Sequence, residues 1–188
     1  MAPIHISCAN GELHLVKGEL DRGVDVNVKD ERSGDTCLHR ACANGNAELT
    51  KFLLDRSASV SMKNKVLRTP LHEACESGDV SSAKLILGAG ADPASCDKGL
   101  QAPLHRAAFR GHHEVLWMVL KWVKEKQLAA REVVLVSDGR DFSQVTQELV
   151  NKKDSAGWTP LHLAAQQGHV SAAQTLLEYG AKVCATNM

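Results

Sequence analysis

Apolar side chains recur along the chain at the spacing of short, paired helices. In the segment that starts at Thr69, the apolar residues Leu71, Ala74 and Cys75 follow at i, i+3 and i+4. This spacing predicts one apolar face of a short helix. Thr69 suits the N-cap, where its hydroxyl can accept from a free backbone N–H, and Pro70 suits the first helical position.

A second helix is predicted directly after the first. Gly78 can adopt the left-handed conformation that ends the first helix, and Asp79 can cap the next one. The apolar positions of the second helix are Val80, Ala83, Ile86 and Leu87. Gly90 ends it, and Ala91-Asp92-Pro93 is typical of a chain that leaves a helix for an extended hairpin. Because two helices of this size cannot bury their own apolar face, the unit needs stacked neighbours.

The same unit repeats along the chain. Four similar openings are Thr36-Cys37-Leu38-His39, Thr69-Pro70-Leu71-His72, Ala102-Pro103-Leu104-His105 and Thr159-Pro160-Leu161-His162. The first three start 33 residues apart, and the last step is longer by 24 residues. An earlier copy, Pro3-Ile4-His5, lies 34 residues ahead of Cys37-Leu38-His39. A glycine stands seven residues after the motif Leu or Ile in every copy: Gly11, Gly45, Gly78, Gly111 and Gly168.

These residues resemble the ankyrin repeat, which has a 33-residue period and a Thr-Pro-Leu-His-x-Ala opening. The resemblance covers nearly the whole chain and implies an all-α fold with short β-hairpin loops, that is, an ankyrin-repeat solenoid or α-α superhelix. We predict one domain over residues 1–188, with repeats at about 2–35, 36–68, 69–101, 102–158 and 159–188. The repeat at 102–158 carries an insertion at about 124–150.

The insertion is the segment that the repeat explains least. From Glu114 the second helix is predicted to continue past Trp122, because no glycine ends it. The run 132–136 favours a β-strand, and 137–141 is a strong turn signal. Helical spacing then resumes at Phe142, Val145, Leu149 and Val150. We expect a finger or extended loop that shelters Trp122, and it is either a second partner contact or a local elaboration.

Charge and composition narrow the function classes. The 188 residues include 22 Lys and Arg and 22 Asp and Glu, so no overall positive charge attracts nucleic acid or anionic lipid. Aromatic residues make up 4%, which disfavours a large aromatic-walled cofactor cavity. No apolar stretch approaches the ~20 residues of a membrane-spanning helix, and the first residues do not resemble a secretory signal. We expect a soluble cytoplasmic protein, with the nucleus as the alternative location.

The six cysteines indicate a reduced, intracellular protein rather than a disulfide framework. Three of them occupy one column of small residues where neighbouring first helices approach closely, and a buried thiol behaves there as a small hydrophobe. These three are Cys8, Cys42 and Cys75. The remaining three, which show no paired spacing, are Cys37, Cys96 and Cys184.

Two patterns suggest chemistry, and we favour neither. A His and a Cys at i, i+3 are half of a zinc site, and such pairs are His5 with Cys8, His39 with Cys42 and His72 with Cys75. Two further copies have Ala108 and Ala165 in place of the cysteine. A Cys nucleophile with a His base also needs an orienting group and an oxyanion loop, which do not recur. We therefore predict no catalytic residues, cofactor or metal; the resemblance implies that the motif histidine hydrogen-bonds to loop backbone.

Exposed columns of the first helices form one part of the predicted site. The resemblance implies that the fifth, eighth and ninth positions of each unit, together with the hairpin tips, line a concave partner-binding groove. The helix candidates are Arg40, Asn44, Glu73, Glu76, Arg106, Phe109, Arg110, Gln166 and Gln167, and Leu163 is predicted to be exposed in the same columns. An arginine beside an aromatic residue, as at Phe109, is common at interaction hot spots. The alternative is a solvated helix face with Phe109 packed on its neighbouring unit.

The hairpin tips form the other part of the predicted site. The family's usual tip has a glycine in its fourth position, as in Asp154-Ser155-Ala156-Gly157-Trp158, but Leu67 and Leu100 stand there in two other tips. Replacing the glycine by leucine predicts a turn geometry in these two tips that differs from the usual one. An apolar row of Val66, Leu67, Leu100 and Trp158 is predicted, with a basic rim of Lys63, Lys65, Arg68, Lys98 and Lys153. Such a patch is typical of an interaction site, and the alternative is that each side chain stacks on the adjacent hairpin.

The resemblance implies a non-enzymatic module for protein–protein interaction, such as an adaptor, a scaffold or an inhibitor subunit. We expect a monomer that binds a protein or peptide through a preformed groove. We expect no membrane binding. Nucleotide or nucleic-acid binding through the basic tips is a less favoured alternative, as is a role as the targeting segment of a larger enzyme.

Overall fold

The computed structural model describes residues 3–133 and 143–183, and the regular secondary structure of these residues is helical. The helices are α1 Pro3–Asn10, α2 Leu13–Asp21, α3 Cys37–Ala43, α4 Ala47–Asp55, α5 Pro70–Ser77, α6 Val80–Gly88, α7 Pro103–Arg110, α8 His113–Val133, α9 Ser143–Val150, α10 Pro160–Gln166 and α11 Val170–Glu178. Within the two described ranges no residue belongs to a β-strand, so the predicted β-hairpins are hydrogen-bonded turns.

The helices stack in two parallel layers. The first helices α1, α3, α5, α7 and α10 contact one another in that order, and α4, α6, α8 and α11 form the second layer. The motif leucines Leu38, Leu71 and Leu104 are fully buried between successive first helices, whereas Leu161 of the last pair is half-buried. The regular burial of these leucines confirms the predicted helical solenoid, in which each unit covers the apolar face of its neighbour.

The motif residues determine where each first helix begins and how it joins the next unit. Thr69 is the N-cap of α5 and Pro70 is its first residue, as predicted. The N–H of Thr69 donates to Nδ1 of His72 over 3.1 Å, and Nε2–H of His72 donates to the carbonyl oxygen of Gln101 over 3.0 Å. The equivalent long-range bonds run from His39 to Arg68 and from His105 to Trp158, whereas His5 of the first unit bonds to Val28, ahead of the first tip. One imidazole thus caps its own helix and holds a later loop.

Each hairpin tip is a turn held by a side-chain oxygen. In the tip of residues 97–101, Oδ1 of Asp97 accepts from the N–H groups of Gly99 and Gln101, and Asn64 and Asp154 make the same bonds in their own tips. Single backbone hydrogen bonds of 2.8–3.0 Å join successive tips. In each, an N–H of one tip donates to a carbonyl oxygen of the tip before it: Lys65 to Ser33, Lys98 to Val66 and Ser155 to Gly99. The first tip, 30–35, is one residue longer, which accounts for the 34-residue step at this point.

The insertion extends one helix and adds another. Helix α8 continues to Val133, so the predicted β-favouring run is wrong at its first two residues, 132 and 133, which are helical. The rest of that run, the turn at 137–141 and Phe142 lie outside the described residues. Helix α9 packs against α8. Trp122 is half-buried and lines a cavity of about 440 Å³ with Val145 and Leu149, as expected if the insertion shelters this ring.

Candidate partner-binding surface

The predicted helix residues differ in their exposure. Asn44, Phe109, Arg110, Gln166 and Gln167 are exposed, whereas Arg40, Glu73, Glu76 and Arg106 are half-buried. The prediction that Leu163 is exposed is wrong, because its relative exposure is 7%. In the second, third and fourth units the charged residue at the fifth position is partly covered, and the apolar Leu163 at this position of the last unit is buried, whereas Ile6 at the same position of the first unit is exposed.

Glu76 is the centre of an ion network across three units. Its Oε1 accepts from Nη2 and Nε of Arg110 at 2.7 and 2.9 Å. Its Oε2 lies 3.7 Å from Arg106 and 3.8 Å from Arg68. Arg68 also lies 3.7 Å from Glu73. Five of the predicted partner-binding residues therefore contact one another, a connection that the spacing of the repeat does not reveal.

Asp97 anchors the same network from a hairpin tip. Its Oδ2 accepts from Nη2 of Arg106 at 2.9 Å and lies 3.8 Å from Nε of Arg68. Burial alone would raise the pKa of Asp97, but the hydrogen bonds from Arg106, Gln101 and Gly99 outweigh it and hold the pKa below its usual value. At Glu73 burial prevails over the attraction of Arg68 and raises the pKa of the carboxyl. The groove therefore holds paired charges rather than a bare patch of one sign.

Side chains at the ninth position of two units make hydrogen bonds between units that the repeat pattern of the sequence did not reveal. Nδ2 of Asn44 donates to the carbonyl oxygen of Ala9, one unit earlier. Ser77 Oγ likewise donates to the carbonyl oxygen of Cys42 over 2.8 Å. These bonds join the C-terminal ends of neighbouring first helices. A small polar residue in this column is the signal that could have identified them.

Phe109 and Arg110 are the most accessible aromatic and basic residues of this helix face. Phe109 is 36% exposed, and the guanidinium of Arg110 lies 5.8 Å from the centre of its ring. Nε2–H of His169 donates to the carbonyl oxygen of Phe109 over 3.1 Å, which fixes the backbone against the last unit. Arg110 is held on its other side by Glu76. An aromatic ring and a guanidinium are thus presented together in a fixed orientation.

At the tips, the apolar side chains fall in three columns. Val66, Leu67 and Leu100 are exposed on consecutive tips. Trp158 is half-buried one column later, in the position of Arg68, with its ring edge-on to His162 at 5.8 Å. Leu67 and Leu100 have φ angles of +62° and +57°, so both tips keep the turn that a glycine would form. The turn is therefore the same in these tips despite the missing glycine.

Several lysines of the tip region donate to loop carbonyls in other units. Nζ of Lys29 donates to Lys63 over 2.7 Å, and Nζ of Lys63 donates to Cys96 over 3.3 Å. Lys65 donates to Glu31, and Lys152 donates to Ala94. Much of the basic character of this edge thus contributes to joining the units.

The His and Cys side chains of the motif have separate structural partners. The thiol of Cys42 lies 3.9 Å from Thr50 Oγ1, whereas Nε2 of His39 is bonded to Arg68. Burial raises the pKa of Cys42 to about 12 and also raises that of Cys75. A thiol with such a raised pKa is a poor nucleophile at neutral pH. Over residues 3–133 and 143–183, no three His, Cys, Asp or Glu side chains are grouped to hold a metal ion.

No helix in the described part of the chain has both the length and the apolar character needed to cross a membrane.

Comparison with known proteins identifies the family. Residues 4–97 and 94–187 match the family model described as ankyrin repeats (3 copies). The chain is also similar to the E3 ubiquitin-protein ligase XB3 of Oryza sativa subsp. japonica, with 47% identity over 58 residues. That match covers 31% of this chain and 12% of the ligase. The chain belongs to the ankyrin repeat family, whose repeat domains are non-catalytic modules that generally mediate protein–protein interaction.

Proposed function

We propose that this chain is an adaptor, scaffold or inhibitor-type module that binds a protein or peptide partner along the concave face of its first helices. The pairing of Phe109 with Arg110 carries this proposal. Aromatic and arginine side chains are enriched at binding hot spots, and here the two residues are exposed side by side. Gln166 and Gln167 extend the same exposed surface onto the last unit.

The ion network supports a groove that is organised before the partner arrives. Glu76 holds Arg110, and Asp97 holds Arg106, so these long side chains are already restricted in the free protein. Association then loses less side-chain entropy than it would with unrestrained arginines. Arg40 is restricted in the same way by Asp35, at 3.1 Å.

The test is a double substitution, Phe109→Ala with Arg110→Ala. Parent and variant serve as baits for affinity capture from native cells, and the captured protein is then titrated against each purified bait. We expect the variant to bind at least about tenfold more weakly, which corresponds to ~1.4 kcal/mol. Its thermal midpoint should fall only slightly, because both side chains are exposed and Arg68 and Arg106 remain beside Glu76 when Arg110 is removed.

A matched control lies on the other layer of helices. Trp117 is also an exposed aromatic residue, and the Lys121 ammonium lies 4.5 Å from the centre of its ring. Trp117→Ala with Lys121→Ala removes the same kind of aromatic–cation pair from α8 and should leave binding unchanged. Equal affinity of the Phe109–Arg110 variant and the parent would refute the groove proposal.

A second role, as the targeting segment of a larger enzyme, is favoured by the match to an E3 ubiquitin-protein ligase. The chain spans about an eighth of that ligase, so the ligase activity itself is not transferred. In this role the repeats would hold a protein for a catalytic domain elsewhere. Detection of a ligase or other enzymatic domain in the native full-length protein tests it.

A further inference from the structure

Two leucines occupy a backbone conformation that normally requires glycine. In the next-to-last position of the hairpin tips, Gly34 and Gly157 have φ angles of +75° and +80°, and Leu67 and Leu100 have φ angles of +62° and +57°. A bulky L-residue in this region is strained, because its Cβ crowds the following carbonyl oxygen. Among the described residues, the other non-glycine residue with positive φ is Ser57.

The strain at the two leucines is not offset by burial. Leu67 is 42% exposed and Leu100 is 54% exposed, and the adjacent Val66 is 47% exposed. A glycine at either position would keep the turn and remove an apolar side chain from solvent. Since folding does not require these side chains, their presence points to contact with another molecule.

The three apolar side chains belong to adjoining tips. The N–H of Lys98 donates to the carbonyl oxygen of Val66 over 3.0 Å, which holds the tip of residues 97–101 against the tip of residues 64–68. Val66, Leu67 and Leu100 are therefore presented on neighbouring turns, and we call these three residues the tip patch.

Around the tip patch, the acidic and the basic side chains differ in their exposure to solvent. The carboxylates that begin the tips of residues 97–101 and 154–158 are directed inward: Asp97 accepts from its own turn and from Arg106, and Asp154 accepts from its own turn and from Gln101. Both carboxylates are buried. Lys65 and Lys98 are exposed beside the apolar side chains. A partner that approaches the tips therefore meets apolar groups within a positively charged rim.

We propose that the tip patch binds an acidic peptide segment that also carries aliphatic side chains. Its carboxylates pair with Lys65 and Lys98, and its apolar side chains cover Leu67 and Leu100. This inference rests on the proposed role as an interaction module, but it places a specific contact at the tips, apart from Phe109 and Arg110. The small size of the patch fits a peptide better than a lipid surface.

The experiment is a selection from a displayed library of random peptides, each about a dozen residues long, against the whole chain. We expect enrichment of sequences that combine Asp or Glu with Leu, Ile or Val. The consensus peptide, once synthesised and labelled, is titrated by fluorescence anisotropy against the parent and five variants: Leu67→Gly with Leu100→Gly, Leu67→Asn with Leu100→Asn, Lys98→Glu, Ser57→Gly, and Phe109→Ala with Arg110→Ala. The double glycine variant should bind at least about tenfold more weakly while its denaturation midpoint does not fall.

The other proteins serve as controls. Ser57→Gly changes a positive-φ residue away from the tips and should bind as the parent does. A second variant, Leu67→Asn with Leu100→Asn, retains a side chain that tolerates this conformation, and it should also lose binding. Lys98→Glu should reduce affinity for the acidic peptide.

Four outcomes would overturn the tip-patch proposal. One is a consensus without acidic residues, and another is unchanged affinity of the leucine variants. The third is binding to vesicles of phosphatidylserine and phosphatidylcholine that depends on Leu67 and Leu100, since this would make the patch a lipid contact. Peptides whose affinity depends on Phe109 and Arg110 alone would refute the tip patch but support the proposed groove.

Discussion

The imidazole of His72 donates from Nε2 to the carbonyl oxygen of Gln101, which lies 3.0 Å away and 29 residues later in the chain. Its Nδ1 accepts from the N–H of Thr69, so the ring is neutral and carries its proton on Nε2. Burial lowers the pKa of His72 to about 4, and it also lowers the pKa values of His39 and His105. The hydrogen bonds that these histidines make between units therefore depend on uncharged imidazole rings.

We expect the free energy of unfolding to fall as the pH is lowered from about 6.5 towards 4. In this range the unfolded chain binds protons that the folded His72 does not, so acid favours unfolding. A pKa lowered from 6.5 to about 4 corresponds to ~3 kcal/mol for His72 alone. Urea unfolding at half-unit pH steps between 8 and 4 measures this fall.

His72→Gln is the control for this assignment. Glutamine retains a side-chain donor but does not titrate, so the variant should be less stable at pH 7 and show a shallower decline between pH 6.5 and 4. Parallel pH profiles for parent and variant would contradict the assignment of the decline to His72.

A second prediction concerns the glycines that end the first helices. Gly111 has a φ of +78°, and a Cβ there would lie 2.6 Å from the ring of His169, which is itself bonded to Phe109. Gly168 has a similar φ of +74°, but a Cβ added there would meet no heavy atom of the described residues within 4 Å. Gly168→Ala should therefore cost only the backbone strain, ~1 kcal/mol. Gly111→Ala should cost roughly 2–4 kcal/mol, because the His169 ring must move as well.

Thermal or urea unfolding of the two variants at neutral pH measures this difference. His169→Ala combined with Gly111→Ala should recover part of the loss, since it removes the clashing ring. Equal destabilisation by the two single alanine variants would show that the contact with His169 is unimportant.

The period of the sequence was sufficient to predict the stacked units, the Thr and Pro positions at the helix starts and the buried leucines. These features follow from spacing alone, because every unit meets the same neighbour in the same way. The contacts of Glu76 with three arginines depend on how long side chains reach across units, which spacing does not specify. Residues 132 and 133 favour strand by composition, yet they continue a helix that started 19 residues earlier, since β-propensity depends strongly on context.

A third prediction follows from a missing hydroxyl. Thr36, Thr69 and Thr159 each place Oγ1 at 2.8–2.9 Å from Nδ1 of the motif histidine, but Ala102 occupies this position before His105. Ala102 has nearly the same backbone angles as Thr69. Ala102→Thr should therefore stabilise the protein by about 0.5–1 kcal/mol, and Thr69→Ala should destabilise it by about 1 kcal/mol. Urea unfolding checks both values, and a loss of stability in Ala102→Thr would show that the site cannot accommodate the larger side chain.

The last prediction concerns the ion network around Glu76. Its carboxylate is bonded to Arg110 and lies within 4 Å of Arg106 and Arg68. Glu76→Gln therefore removes the negative charge that attracts these three guanidinium groups. We expect a loss of roughly 1–2 kcal/mol in 20 mM salt, more than a lone surface pair contributes. Much of this loss should disappear in 1 M NaCl, where the screening length is about 3 Å.

Glu125→Gln is the matched control for the Glu76 substitution. Glu125 forms an exposed i, i+4 pair with Lys121 at 4.0 Å, and its removal should cost no more than about 0.5 kcal/mol in 20 mM salt. Urea unfolding at the two salt concentrations compares the variants directly. If Glu76→Gln were no more costly than Glu125→Gln, the groove arginines would not be held by Glu76, and a preorganised binding face would lose its physical basis.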